Sequence, residues 1–162
     1  MSIWPDWKIR EWIQNDDGVI PVNLVRINPA SIDLGWSGRY RVAEPSGWGD
    51  LHQARELEIA PRGFLLLDTA EYVSMPPAAV GFLMLKSSLG RQGLEHLHAG
   101  YFDPGFHGTA TLEVFNAAPW VVKIRIDQPI VQLAIMDMKG RPDRSYRETG
   151  RYNGQKVPQV SK

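Results

Sequence analysis

Glycine and proline punctuate this chain from end to end. Fifteen glycines and twelve prolines are spread through 162 residues rather than bunched. Both residue types interrupt helices and mark turns, so the chain is cut into short apolar runs such as residues 64–67, 80–85 and 130–135. Runs of that length between turn signals are what a sandwich or barrel of many short strands requires. No repeat and no low-complexity tract breaks the pattern.

The length suits one domain around one sizeable core, residues 1–162. Eighteen basic and eighteen acidic residues leave no net charge, hence no global field to gather a polymeric nucleic acid, although a local basic pocket is still allowed. Cysteine is absent, which removes disulfides, thiolate nucleophiles and thiolate zinc sites together and fits a reducing cytoplasm. No charged start leads into an apolar run, and no stretch approaches the roughly 20 apolar residues that cross a bilayer, so no membrane partner is expected.

Near the start, Ile9, Trp12 and Ile13 fall on one face of a short helix with Asp6 as its N-cap. Residues 19–27 read as a β-rich run interrupted by Pro21, and residues 31–35 as a strand entering a turn, with Asp33 a structural turn carboxylate. Residues 46–50 and 60–63 read as loops. From 109 to 115 the residues alternate: Ala110, Leu112 and Val114 on one face, Thr109, Thr111, Glu113 and Phe115 on the other. Two more strands follow, broken at Gln128 and Pro129. Beyond Gly140 the chain turns polar, with Arg141, Arg144, Arg147 and Arg151 beside Tyr146 and Tyr152. Residues 141–162 are expected to form a tail that stays mobile until something orders it.

The chemistry-bearing residues crowd into fewer than thirty positions. Lys86, Ser87, Ser88 and Arg91 follow the apolar run 80–85, Asp103 stands in a turn, and Glu113 stands mid-strand. The basic segment lacks the spacing of an NTPase phosphate loop. Its cations and hydroxyls at a strand end can converge on phosphate oxygens, or form a serine-rich helix cap with two solvated cations. Glu113 has two readings as well. Facing inward it is desolvated and its pKa rises toward neutrality, as a general acid or base requires; facing outward it only solubilises. His96 and His98, two apart, can chelate a metal with His52 or His107, but no third ligand stands at ligand spacing. Zinc deaminases pair a His-x-Glu with a Pro-Cys-x-x-Cys, so a deaminase built from this chain works without that metal.

Read together, Ser31-Ile-Asp-Leu, Lys86-Ser-Ser-Leu-Gly-Arg-Gln-Gly-Leu, Ala99-Gly-Tyr-Phe-Asp-Pro-Gly-Phe-His-Gly, Thr111-Leu-Glu-Val-Phe-Asn, Gln132-Leu and Gly150-Arg-Tyr-Asn-Gly-Gln resemble the dCTP deaminase branch of the dUTPase-like family, in family order. The resemblance implies a mainly β fold, a distorted jelly-roll-like antiparallel barrel with a short N-terminal helix. It further implies a homotrimer with active sites between subunits, a C-terminal tail folding over the triphosphate, and magnesium carried by that triphosphate with no protein ligand and no zinc. By position, Glu113 matches the proton-shuttling glutamate, Ser87 and Arg91 the residues that place and polarise water, and Ala99 the residue whose backbone lines the base pocket. Asp103 matches the carboxylate that meets the deoxyribose hydroxyl. Lys86, Ser88, Gln132, Tyr146, Arg151, Tyr152 and Gln155 match phosphate, base and tail contacts. The implied activity is hydrolysis of dCTP to dUTP and ammonia; the alternatives are a bifunctional enzyme or dUTPase ending at dUMP, and a non-catalytic nucleotide sensor. Three departures stand out: His98 where the family usually has threonine, Lys86 for arginine with Arg151 for lysine, and a shorter region between Tyr40 and Leu65.

Overall fold

The computed structural model describes residues 2–161 apart from 17, 22, 98 and 99, with the backbone alone at residue 16. In chain order it contains helix α1 (Asp6–Asp16), strands β1 (Val19–Ile20), β2 (Ile27–Asn28), β3 (Ser31–Glu44), β4 (Gly47–Trp48), β5 (His52–Gln53), β6 (Glu56–Ile59), β7 (Phe64–Ser74) and β8 (Ala79–Leu85), and the single-turn helix α2 (Ser87–Gly90). Then come β9 (Leu94–His96), β10 (Tyr101–Phe102), β11 (His107–Asn116), β12 (Val122–Arg125), β13 (Pro129–Asp137) and a second single turn, α3 (Tyr146–Thr149).

The main sheet runs β10-β8-β13-β3-β7-β11-β9, every pair antiparallel, and β6 with β12 makes a separate two-stranded layer. This is the many-stranded antiparallel architecture that the glycine and proline punctuation requires. The core is one cluster holding Leu34, Trp36, Leu67, Leu112 and Leu133 from the central strands with Ile59 and Ile124 from the smaller layer.

Three local expectations are corrected. Residues 31–35 do not enter a turn. The strand continues to Glu44, pairing first with β13, where Leu34 faces Val131, and then with β7, where Tyr40 faces Leu67. Two glycines serve this path: a Cβ on Gly35 would stand 3.0 Å from the Asp127 carbonyl, and Gly38 has φ +92° at a bulge within the β3–β7 ladder. Asp6 is the first residue of α1 rather than its cap, because Ile9 N–H returns to the Pro5 carbonyl at 3.1 Å; its charge still sits in the first turn, where the helix dipole favours it. The expected run 19–27 is three pieces, since Pro21 offers no N–H to a ladder and Asn23 accepts the Val25 N–H to start a 3-10 turn at Leu24–Arg26.

The helical stripe behaves as its spacing predicts. Ile9, Trp12 and Ile13 are buried, and Trp12 meets Trp4 edge to face at 6.0 Å. No helix among the described residues is long and apolar enough to cross a membrane.

Candidate active site

From Thr111 onward strand β11 carries the alternation into three dimensions, whereas a bulge between Thr109 and Thr111 interrupts it, so that Thr109 is buried and Ala110 also borders the cavity. Leu112 and Val114 are buried in the core, while Thr111 and Glu113 line a cavity of about 330 Å³ on the other side. That cavity also takes Asp103 from the turn before β11 and Tyr146, Tyr152 and Gln155 from the C-terminal segment. Its walls are strongly aromatic: Trp48, Tyr101, Phe102 and Phe106 contribute.

Burial pushes the Glu113 carboxyl above its ordinary range; the opposing contribution is its own backbone N–H. Burial also raises Asp68 and Glu71. Those two are held by arginines, Asp68 by Arg39 at 2.5 Å and Glu71 by Arg26, and neither lines this cavity. Glu113 is therefore the desolvated carboxylate that faces open space, the environment that suits proton transfer near neutral pH.

The raised pKa is also a stability statement. A carboxyl titrating higher folded than unfolded contributes stability that is complete below its unfolded pKa and lost as pH rises through its folded one. Glu113→Gln is thus expected to melt higher than the natural protein at neutral pH, the gap closing below about pH 4; scanning calorimetry at the two pH values checks this, and a lower melting point at neutral pH contradicts it.

The C-terminal segment reaches the cavity by pairing with the free edge of β11. Gly154 N–H donates to the His107 carbonyl at 2.7 Å, Thr109 N–H to the Gln155 carbonyl at 3.0 Å, and the Gln155 side-chain amide to the Thr109 carbonyl. Two glycines permit the approach: a Cβ on Gly108 would stand 3.1 Å from Gln155, and Gly154 has φ +72°. Farther along, Gln159 N–H donates to Thr111 Oγ1, and Arg41 bonds both Pro158 O and Gly49 O, joining the segment to the β3–β4 hairpin. Residues 154–159 of the expected tail thus lie along the chain's own β11, and the Tyr146 ring stands 5.9 Å from that of Phe106.

The basic cluster lies elsewhere on the chain. Lys86 precedes α2, its ammonium 2.8 Å from both Asp33 oxygens. Asp33 is therefore a mid-strand partner of that cation rather than a turn carboxylate. Ser87 and Ser88 open α2 and Arg91 closes it, all three exposed, with no side-chain cap on the helix. Gln132 of β13 stands opposite Asp33 in the ladder. Lys86, Ser87, Ser88, Arg91 and Gln132 do not line the cavity that holds Glu113. The single chain thus gathers Glu113, Asp103, Tyr146, Tyr152 and Gln155 at one place and the phosphate-type residues at another. Arg151 is exposed on the same terminal segment. Ala99 and His98 lie outside the described residues.

Sequence reasoning missed Trp48, which lines the cavity and lies 5.0 Å from Phe64, because 46–50 read as a loop and is a tight hairpin. The described histidines stand apart: His52 lies against Tyr40 and His107 near Tyr72, both rings tilted, and His96 ends β9 with its Nε2 3.9 Å from Glu113 Oε2. Among the described residues no three His, Asp or Glu side chains converge as a metal site.

Known proteins bear on this geometry. The dCTP deaminase-like family pattern matches residues 3–138. A protein of Aquifex aeolicus named "dCTP deaminase, dUMP-forming" is 34% identical over 165 residues, covering 95% of this chain and 91% of that protein. One of Thermococcus kodakarensis named "dCTP deaminase" is 33% identical, covering 98% and 96%. Among solved structures, the 2'-deoxycytidine 5'-triphosphate deaminase of Agrobacterium tumefaciens superposes with a TM-score of 0.70 at 16% identity over 82% of this chain, which spans about half (47%) of that longer protein. A staphylococcal phage 80alpha dUTPase superposes at 0.53 over 75% of this chain and 78% of its own. The antiparallel dUTPase-like fold is thus shared with both, and by family pattern and full-length similarity the chain belongs to the dCTP deaminase-like family of hydrolases.

Proposed function

We propose that the protein hydrolyses the exocyclic amine of dCTP, with Glu113 as the proton shuttle. The observation that carries this reading is a desolvated carboxyl set among aromatic walls beside Asp103. Water attacks the electron-poor C4 of cytosine while Glu113 takes one of its protons. The same carboxyl then hands a proton to the departing nitrogen, so that dCTP and water become dUTP and ammonia. A pKa lifted toward neutrality serves both steps, because the group must accept and then release a proton at one pH.

In this reading the protein is a homotrimer, and the exposed Ser87 and Arg91 of one protomer complete the cavity of the next by placing and polarising the water. Asp103 receives the deoxyribose hydroxyl and the Ala99 backbone lines the base pocket. Lys86, Ser88, Gln132, Tyr146, Arg151, Tyr152 and Gln155 hold phosphates, base and tail. Magnesium arrives on the triphosphate oxygens, where it offsets phosphate charge. A cytoplasmic setting, with neither membrane nor polymeric nucleic acid as partner, belongs to the same reading.

A second reading extends the reaction to dUMP and pyrophosphate. Asp103 in the same cavity favours it, since a carboxylate beside the sugar can also activate water toward phosphorus, and relatives named "dUMP-forming" support it. Incubating the purified protein with dCTP and magnesium, and following ammonia and pyrophosphate together, is the test. Ammonia with dUTP is the expected outcome. Pyrophosphate released in step with ammonia moves the product to dUMP, and tight nucleotide binding without turnover of any deoxynucleotide moves the reading to a sensor.

A further inference from the structure

The imidazole of His96 is the titratable group brought against Glu113 without a part in the mechanism above. Its side chain is 3% exposed, and its Nε2 stands 3.9 Å from Glu113 Oε2. That spacing is too long for a hydrogen bond yet short enough to become one with a small rotation. Glu113 Oε2 is buried and accepts no hydrogen bond in this structure, an arrangement that a carboxylate tolerates poorly. The two groups are held in register. His96 faces Val114 across the β9–β11 ladder, and Leu97 N–H donates to the Glu113 carbonyl at 3.0 Å.

Among the described residues, Glu113 is a charged group that stands within 4 Å of the ring. The elements packed most closely on β9 are β11, α2 and β8. Neither α2 nor β8 contains a titratable side chain, and on β11 the other one, His107, lies at the far end of the strand. On β9 itself, Glu95 alternates to the exposed side.

We propose that His96 is a positioning residue for Glu113: its Nε2–H takes hold of Oε2, so that Oε1 is the oxygen presented to water and to the departing nitrogen. A carboxyl with one oxygen held by a buried donor has one orientation, and a proton shuttle that must meet two different atoms in turn benefits from that. The donor also stabilises the charged form, which limits how far burial lifts the carboxyl and keeps it able to accept a proton. This inference rests on Glu113 being the proton carrier.

The test compares His96→Phe, which keeps a ring and removes the donor, with His96→Gln, which returns a neutral N–H donor. Carbon-13 NMR of the Glu113 carboxyl across pH needs no turnover: Glu113 is expected to titrate higher in His96→Phe than in the natural protein and to move back in His96→Gln. With dCTP, kcat should fall about 10- to 100-fold in His96→Phe, the scale of one hydrogen bond to a charged group, with KM within about threefold, and recover largely in His96→Gln. An unchanged Glu113 titration in His96→Phe overturns the proposal. If the titration shifts while the natural protein releases no ammonia, the contact stands and the substrate reading falls. Should His96→Phe not fold, the reciprocal measurement decides: nitrogen-15 signals of the His96 ring must differ between the natural protein and Glu113→Gln, and identical signals sink the idea.

Discussion

Ammonia release from dCTP is expected to fall at least about a thousandfold in Glu113→Gln, about 4 kcal/mol of transition-state stabilisation. The size follows from the double duty of one carboxyl. Without it, neither the water proton nor the proton needed by the leaving nitrogen has a carrier at the reacting carbon. Glutamine has nearly the same shape, so the strand, the aromatic walls and nucleotide affinity should change little, and the loss should appear in kcat rather than KM. Steady-state ammonia release, paired with calorimetric titration of the variant with dCTP, reads both quantities. Activity within tenfold of the natural protein would remove Glu113 from the mechanism.

The second large effect is a recovery. Glu113→Gln and Arg91→Ala should each be nearly inactive alone, yet mixed trimers formed by co-expression in equal amounts should regain about a quarter of the natural rate. In the proposed trimer each shared site needs an intact Glu113 from one protomer and an intact Arg91 from its neighbour, and random assembly supplies that pair at about one site in four. The prediction arises from the geometry: α2 leaves Ser87 and Arg91 exposed, away from the cavity that Glu113 lines on the same chain. A site completed within one chain gives no recovery at any mixing ratio, because every chain then lacks one of its two groups. Mixed trimers of confirmed composition without activity would end the shared-site reading.

The parts of this protein that could be read from the sequence are those governed by neighbours a few residues away. The stripe Ile9, Trp12, Ile13 and the alternation through β11 depend on the 3.6- and 2-residue periods of the backbone, which any single segment displays. The antiparallel class followed from the spacing of turn residues. The candidate residues Glu113, Asp103, Tyr146, Tyr152 and Gln155 were singled out through the order of their motifs, and the fold lines one cavity with them.

What the local pattern left open is decided by pairings across long stretches of chain. A period of two divides β11 into two faces without saying which is inward; that depends on β7 and on the terminal segment lying along the edge. Lys86 read as a solvated cation or a phosphate ligand until Asp33, fifty-three positions earlier, came beside it across the sheet. Gly35 of β3 meets Asp127, far along the chain, and the short hairpin that brings Trp48 to the cavity is fastened by Arg41 to the distant Pro158. His96 offered only a doubtful metal ligand by spacing, and its neighbour Glu113 emerged from the closure of β9 onto β11. The periodicity of the chain therefore determined which elements form and which residue types they carry. Tertiary packing determined which faces are desolvated and which charges meet, because burial and Coulomb energy depend on separation in space and not along the chain.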